Sequence, residues 1–475
     1  MQSRKNEGAE DFKDPPNASK PGKKQPHVPK KLLSETVGKL LTRELDNYFA
    51  PREQGLCCLL AVHHPPHSIS SGRSDSGEHT DVTAAFPLGL GNQNFSCPNL
   101  PQRRDYRPVK SSRHRLRMLT ASVKFKSSSP AEDPATNETN ILPIVETLAT
   151  HYGRASHMVI LDPSYRFFVT KSRTGALCYK LQDDVAIVTG DPLCESDLFS
   201  NVLDEFEGYR KKHGWKLAFI GISSTFVKYA RQRRWTTIEF GVERVLNPMT
   251  NDVLMEQCGK RIIVQNKQLL HPAKRNLSLR IYIPSCEQDL CLEKELSNIY
   301  NEWRRRRSGI TQAFVTVYDL FDFPHLMVYI YTCSAEGKAN GFVALRWIGA
   351  HQGYHLDPCV TAPEAPKGVS DLLIYSTLVF LKQEEISYLS LGFEPLGDLK
   401  EITGMPVLLD RLTRSINRRV FQKFQFKGKK AHSDKFRPDE EQESPLYVVL
   451  PTGIFDIRQV FAVLHTANIH IRKLI

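Results

Sequence analysis

No run in this chain approaches the roughly 18 continuous apolar residues that a membrane-crossing helix needs. The first residues are polar and no apolar stretch comes after them, so no secretory leader is expected. Any membrane contact should therefore be peripheral. Cysteine is present but unpatterned: ten residues, none in C-x-x-C spacing. That argues against the common zinc-ligand arrangements and for reduced thiols in a cytosolic protein, with no metal site. The neighbours Cys57 and Cys58 are read as incidental. Acid is in deficit. The 475 residues carry a formal net charge of +12, and the isoelectric point is about 9.1. Such a balance suits an anionic partner, RNA or an acidic membrane surface, and equally well plain solubility.

What is there divides near residue 140. Residues 1–140 read as a basic, mostly disordered N-terminal region. One exception is an amphipathic helix over residues 32–49, with Leu33, Val37, Leu40, Leu41, Leu45 and Tyr48 at helical spacing. Docking on the folded part is favoured over a membrane face, because lipid-binding helices are richer in Lys and aromatics. Residues 103–126 hold nine Lys/Arg and one acid, Asp105. They fit a solvated tail or a basic arm for RNA or anionic lipid.

From Ile141 the pattern is regular α/β. Strands are expected at Phe167–Val169, Ala186–Val188, Trp215–Ile222 and Ile238–Leu246, with helices after Ser196 and over Phe226–Arg233. The order then starts again. A helix carries Leu292, Leu296, Ile299 and Trp303. A hairpin, Leu326–Cys333 and Gly341–Ile348, turns at Glu336-Gly337-Lys338. The parse is two α/β units in tandem, 141–285 and 286–475.

The most informative stretch runs from Leu356-Asp357-Pro358-Cys359-Val360 to Leu396. An apolar strand, Tyr354–Val360, carries one acid near its end. A Pro/Gly turn through Ala365-Pro366-Lys367-Gly368 leads to a helix that opens on Asp371. Tyr388–Leu396 is the next strand and its exit. This order puts a carboxylate and a helix N-terminus at the mouth of an α/β cleft, a sensible place to handle an acyl group.

These residues resemble the soluble domain of the phosphatidylglycerol lysyl- and alanyltransferases, the multiple peptide resistance factor family. The resemblance runs from about Tyr152 to about Pro451. It is carried by Tyr152-Gly153-Arg154-Ala155-Ser156, Thr189-Gly190-Asp191-Pro192, Phe240-Gly241-Val242-Glu243, the Asp357 strand, the turn before Asp371, Leu391-Gly392-Phe393-Glu394-Pro395-Leu396, and Phe426-Lys427 with Lys435-Phe436-Arg437-Pro438. It implies two GNAT-like acyltransferase units and transfer of an amino acid from its tRNA to a lipid hydroxyl, with aminoacyl-tRNA as co-substrate and no other cofactor.

Family members that modify phosphatidylglycerol carry Asp-Leu-Met-Arg where this chain has Asp357-Pro358-Cys359-Val360. The missing Arg, the residue best suited to grip a phosphate, steers the expectation to a fungal stand-alone branch. Its members place glycine from glycyl-tRNA on the 3β-hydroxyl of ergosterol. An ergosterol-containing membrane is then the expected surface, with phosphatidylglycerol as the alternative acceptor. A non-catalytic RNA or membrane adaptor is the alternative of another class. A CoA-dependent acetyltransferase is disfavoured, because the turn holds Pro366 and a single Gly368 instead of a glycine-rich loop.

An aminoacyl ester is already activated, so the enzyme mainly positions reactants and helps a weakly acidic hydroxyl lose its proton. Asp357 is the candidate base. Asp371 suits a helix N-cap better than catalysis. Glu243 fits an α-ammonium ligand or a structural ion pair equally. Glu394 is a second, weaker ammonium candidate, and Lys367 joins this substrate set. The run Arg304, Arg305, Arg306 and Arg307 is a solvated helix end or a tRNA clamp, the clamp slightly favoured. Arg418, Arg419 and Lys427, with their basic neighbours, form a second candidate surface for phosphates.

Overall fold

The computed structural model describes residues 32–49, 141–307, 317–423, 427–451 and 457–469. The expectations for residues 1–31, 50–140 and the basic stretch 103–126 fall outside these segments. All described residues belong to one unit.

Twelve strands form one mixed sheet. The first three, β1 (Arg166–Val169), β2 (Ala176–Gln182) and β3 (Val185–Thr189), make an antiparallel meander. Helix α3 (Phe199–Lys212) then carries the chain to β4 (Lys216–Ile222), parallel to β3. Preceding them are α1 (Leu33–Phe49) and α2 (Leu142–Tyr152), and α4 (Ser224–Gln232) leads from β4 to β5 (Thr236–Leu246). Next come α5 (Lys260–Leu270), β6 (Ser278–Tyr282) and α6 (Leu290–Arg307). A second meander comes after it: β6 pairs with β7 (Met327–Cys333), then β8 (Ala339–Ile348) and β9 (Gly353–Thr361). Helix α7 (Val369–Gln383) crosses to β10 (Leu389–Pro395), parallel to β9. The tail holds β11 (Ile402–Thr403), α8 (Val407–Lys423), α9 (Lys427–Asp434), β12 (Ser444–Leu450) and α10 (Ile457–Thr466).

The sheet order is β1-β2-β3-β4-β12-β5-β10-β9-β8-β7-β6, with β11 on β5. The expected α/β class is therefore right, but the sheet runs unbroken where two tandem units would divide it. The physical reason is an exchange of strands. β5, which succeeds β4 in the chain, pairs with β10; β12, which comes after β10, β11, α8 and α9, pairs with β4; and β5 and β12 pair with each other, all antiparallel. β5 and β12 thus each lie beside strands from the other side of the exchange, and backbone hydrogen bonds close what would have been two open edges, while β6 sits at the far edge on β7.

The core is thickest around α7. That helix buries residues on every side, from Val369 to Leu381, because the sheet lies on one side and α1 on another. α1 supplies Leu33, Val37 and Leu41, each at most 2% exposed. Its spacing of four gives a narrow apolar stripe. β8 is buried along its whole length, as a central strand covered on both faces should be. Its one charged residue, Arg346, is 1% exposed.

Two strands part at one point. β9 and β10 pair only through Tyr354↔Leu389 and His355↔Ser390. Beyond that, β10 bends toward β5, with a register break between Ser390 and Phe393 and Gly392 at φ 78°. Asp357 lies two residues past the last position of β9 that pairs with β10.

Candidate functional site

The parting of β9 and β10 leaves the Asp357 carboxylate half-buried, at a position outside the ladder between these strands. The Tyr318 hydroxyl donates to its Oδ2. The Tyr318 N–H in turn donates to the hydroxyl oxygen of Tyr300, at 3.0 Å. Burial pushes the Tyr300 phenol up to about 12, with the nearby carboxylates of Asp357 and Asp162 adding to the shift. The Tyr300 hydroxyl thus anchors the Tyr318 backbone, and the Tyr318 hydroxyl in turn orients the Asp357 carboxylate.

Arg346 comes to the same place from the neighbouring strand. Its Nη2 donates to the carbonyls of Arg154 and Ala155, at 2.8 and 3.2 Å. Its Nε finds no partner among the described residues. Burial lowers its pKa to about 10, against the opposing pull of Tyr318, Cys178, Glu243 and Asp357. The guanidinium therefore remains charged, and it shares its surroundings with both candidate carboxylates.

Glu243 in β5 is 3% exposed. The Tyr388 hydroxyl donates to its Oε1 at 2.9 Å. Burial raises its pKa, while hydrogen bonds from Ser390 and Tyr388 and the charges of Arg154 and Arg346 work to lower it. The Tyr388 ring stacks on His351, 4.4 Å between centroids. Nη1 of Arg154 donates to Nε2 of His351 at 3.1 Å. Arg154 also pairs with Asp191, Nε to Oδ2 3.2 Å, and Asp191 accepts from the backbone N–H and hydroxyl of Ser223. A continuous polar chain thus runs from Asp191 through Arg154, His351 and Tyr388 to Glu243. It ties the β3–β4 half to the β9–β10 half.

His157 completes this chain from below. Its Nδ1 accepts from the Arg154 N–H at 2.9 Å, and Nε2 donates to the Asp191 carbonyl at 2.8 Å. The ring lies directly over Gly190. That glycine has φ +79°, and a Cβ there would meet His157 Nε2 at 2.5 Å. Gly190→Ala should therefore cost about 2 kcal/mol or more, from the left-handed backbone and the overlap together. Urea unfolding would measure it; an unchanged midpoint would show that the ring can move aside freely.

Beside this network is a cavity of about 90 Å³, walled by Ala155, Val159, Asp162, Ile220, Phe240 and Phe393. It sits where the central strands carry their register breaks. Its lining is mostly apolar with a few polar groups.

The other expected substrate residues do not join Asp357 and Glu243. Successive residues of a strand face opposite ways, so Arg244 points away from Glu243. Glu394 pairs with Arg244 at 3.5 Å and with Lys430 at 2.8 Å, which places it on the face opposite Glu243. Arg244 also binds Asp434 and Glu443. Asp371 lies within the first turn of α7, Gly368 holding the cap position, and it pairs with Lys435 at 3.4 Å. The segment Lys430–Lys435 thus bridges the exit of β10 and the start of α7.

Lys367 is exposed, and its carbonyl accepts from Gln265. The loop around it forms a 400 Å³ pocket with Trp303, Arg306 and Arg307. In the arginine run, Arg305 and Arg306 pair with Glu302. Arg304 stacks over Tyr300 and Arg307 over Trp303, at 5.6 and 4.4 Å. Arg418 pairs with Asp398, Arg419 is exposed, and the Lys427 side chain lies outside what is described. Among the described residues no group of three His, Cys, Asp or Glu is placed to hold a metal ion.

Sequence reasoning missed Arg346, Tyr318, His351 and Tyr388. A signal existed for the first: Arg346 is the lone charge in the apolar run from Gly341 to Ile348.

Comparisons with known proteins bear on what this geometry serves. The lysylphosphatidylglycerol biosynthesis bifunctional protein LysX of Rhodococcus jostii is 22% identical over 272 residues, 54% of this chain and 23% of that protein. A phosphatidylglycerol lysyltransferase of Staphylococcus haemolyticus is 21% identical, over 64% of this chain and 35% of that protein. The chain thus spans about a quarter to a third of the length of these relatives. Among solved structures, L-PGS from Bacillus licheniformis superposes with a TM-score of 0.54 at 18% identity, covering 72% of this chain and 98% of that one. The names of both sequence relatives concern phosphatidylglycerol, and neither concerns a sterol or glycine. They overturn the expected transfer from glycyl-tRNA to ergosterol and the expected ergosterol-containing surface. The argument from the missing Arg also loses its force, since Arg346 and Arg154 bring guanidinium groups to the site from other elements. The family described as phosphatidylglycerol lysyltransferase, C-terminal, matches residues 146–449, well over half of the chain, and this protein belongs to it.

Proposed function

We propose that the protein is an aminoacyl-tRNA-dependent transferase that moves an amino acid, lysine or alanine, onto a hydroxyl of phosphatidylglycerol. The observation that carries this reading is the Asp357–Tyr318 pair at the parting of β9 and β10, beside Arg346 and Glu243, in a chain of this family. The lipid hydroxyl attacks the carbonyl carbon of the aminoacyl ester. Asp357 accepts its proton as the new C–O bond forms. The bond to the terminal ribose oxygen of the tRNA breaks, and that oxygen takes the proton from the Asp357 carboxyl as it leaves, which restores the carboxylate. Glu243, buried and ringed by donors, suits a role in setting the electrostatics of the site. The halves 141–285 and 286–475 are read as two GNAT-like units joined by exchanged strands.

The 400 Å³ pocket at the start of α7 suits the phosphates near the tRNA terminus: Arg306, Arg307 and Lys367 border it together with the helix N-terminal end. Replacing Arg306 and Arg307 by Gln should weaken tRNA binding and lower the slope of log affinity against log salt by about one to two units. An unchanged slope would make the run a solvated helix end.

The deciding assay combines purified protein, labelled lysyl-tRNA or alanyl-tRNA, and vesicles containing phosphatidylglycerol. Label should pass to the lipid phase. If neither tRNA donates to any lipid, the reading fails.

A further inference from the structure

Helix α8 has an outer face that the other described residues leave uncovered. Val407, Leu408 and Leu412 are 66, 78 and 50% exposed. At 100° per residue they share half of the helix with Arg411, Ser415, Arg418, Arg419 and Gln422. Arg411, Arg418 and Arg419 are exposed as well. No acidic residue falls on this half, and Asp410 is turned to Arg414 on the other. The inner half is conventionally packed: Ile416 and Val420 meet Leu464, Ala467 and Ile469.

The position of α8 matters as much as its face. Arg414 and Asn417 hold the loop Leu396–Lys400 through its carbonyls. That loop is the exit of β10, the strand that parts from β9 beside Asp357. Ala467, packed under α8, also lines the apolar cavity.

We infer that α8 is the membrane-docking element, laying Val407, Leu408 and Leu412 into the headgroup–acyl boundary of an anionic phospholipid surface while Arg411, Arg418 and Arg419 meet the headgroups. Charge complementarity selects this occupant. A nucleic acid would use the arginines but leave three large aliphatic side chains in water. A second copy of the chain would bring the same cations face to face. The inference rests on the proposed lipid acceptor for its purpose. No helix among the described residues is long and apolar enough to cross a membrane, and docking at α8 brings the exit of β10 to the lipid surface.

The test is flotation of the full chain with vesicles of phosphatidylcholine alone or mixed in equal parts with phosphatidylglycerol. The protein should float with the mixed vesicles and remain behind with the neutral ones. Leu408→Asp with Leu412→Asp should lower partitioning by about tenfold or more, through lost apolar burial. Arg411→Glu should lower it by about fivefold or more, the worth of one basic residue at an anionic surface. Thermal unfolding of the leucine variant and its transfer to detergent-dispersed phosphatidylglycerol should match the parent. Three results would overturn the inference: parental protein that does not float, a leucine variant that floats as well as the parent, or a leucine variant that changes oligomeric mass in light scattering and not vesicle binding. Loss of tRNA affinity in Arg411→Glu with flotation intact would assign the face to nucleic acid instead. Flotation as expected without transfer from either tRNA would leave the docking standing and defeat the enzymatic reading.

Discussion

Asp357→Asn should lower amino-acid transfer by about 10²-fold or more while tRNA binding stays as it was. The substitution keeps the shape of the side chain and an oxygen for the Tyr318 hydroxyl to reach. What it removes is the ability to take a proton from the attacking hydroxyl, and a positioned acid or base typically contributes that much to a rate. The effect should appear in kcat with little change in the KM for tRNA, because a group acting mainly in the transition state leaves ground-state binding alone. Tyr318→Phe is the companion. It leaves the carboxylate its charge and takes away the donor that orients it, so a smaller loss is expected, together with a shifted pH–rate profile. If Asp357→Asn transfers at the parental rate, Asp357 is not the base. If it loses rate and tRNA affinity together, its role is in binding.

The elements that build this site were legible where local chemistry dictates them. β9, α7 and β10 can be read from an apolar strand, the Pro363-to-Gly368 turn and a helix apolar all round. The same clarity held for the hairpin of β7 and β8, whose turn is written in Glu336-Gly337-Lys338. What was not legible is non-local. β5 and β12 read as ordinary strands, and nothing in Ile238 or Val449 says that each will lie in the other half of the sheet. Partner choice is fixed by what else is buried alongside. The same limit produced the sterol expectation. Val360 stands where a relative has Arg, and a linear motif cannot show that Arg346 from β8 brings its guanidinium near Asp357 and Glu243, or that Arg154 adds a second one on the Glu243 side. Glu243 and Glu394 looked alike as strand-borne acids. Only the pairing of β5 with β10 reveals that they face opposite sides of the sheet. α8 was hidden for a different reason: its arginines read as one basic surface, and the leucines between them pass for packing residues until their exposure is known.

The polar chain that joins the two halves makes acid a specific threat to this fold. His157 is fully buried, and burial holds its pKa down at about 3 from a usual 6.5, the hydrogen bond to Asp191 opposing and the charges of Arg346 and Arg154 assisting. The unfolded chain accepts this proton near pH 6.5 and the folded chain does not until about pH 3. Stability from this residue is therefore whole above pH 6.5 and is lost as pH falls, at about 1.4 kcal/mol per pH unit for the one proton. Over the whole window that is roughly 4–5 kcal/mol, comparable with the entire net stability of many proteins. His351, lowered to about 4 chiefly by burial, adds a loss of the same sign. Glu243 works the other way, since its raised pKa favours the folded state as the carboxyl takes up its proton. His157→Gln retains an acceptor for the Arg154 N–H and a donor for the Asp191 carbonyl, and it cannot titrate. It should be less stable than the parent at pH 7, because the imidazole fills the space over Gly190. The gap between the two proteins should then close by about 1.4 kcal/mol for each pH unit between 6.5 and 5, where carboxylates with ordinary pKa values remain ionised. Urea unfolding at several pH values gives the comparison. Parallel curves would mean that His157 takes up its proton in the folded protein as readily as in the unfolded one, and that its neutral, two-hydrogen-bond role between Arg154 and Asp191 is wrong.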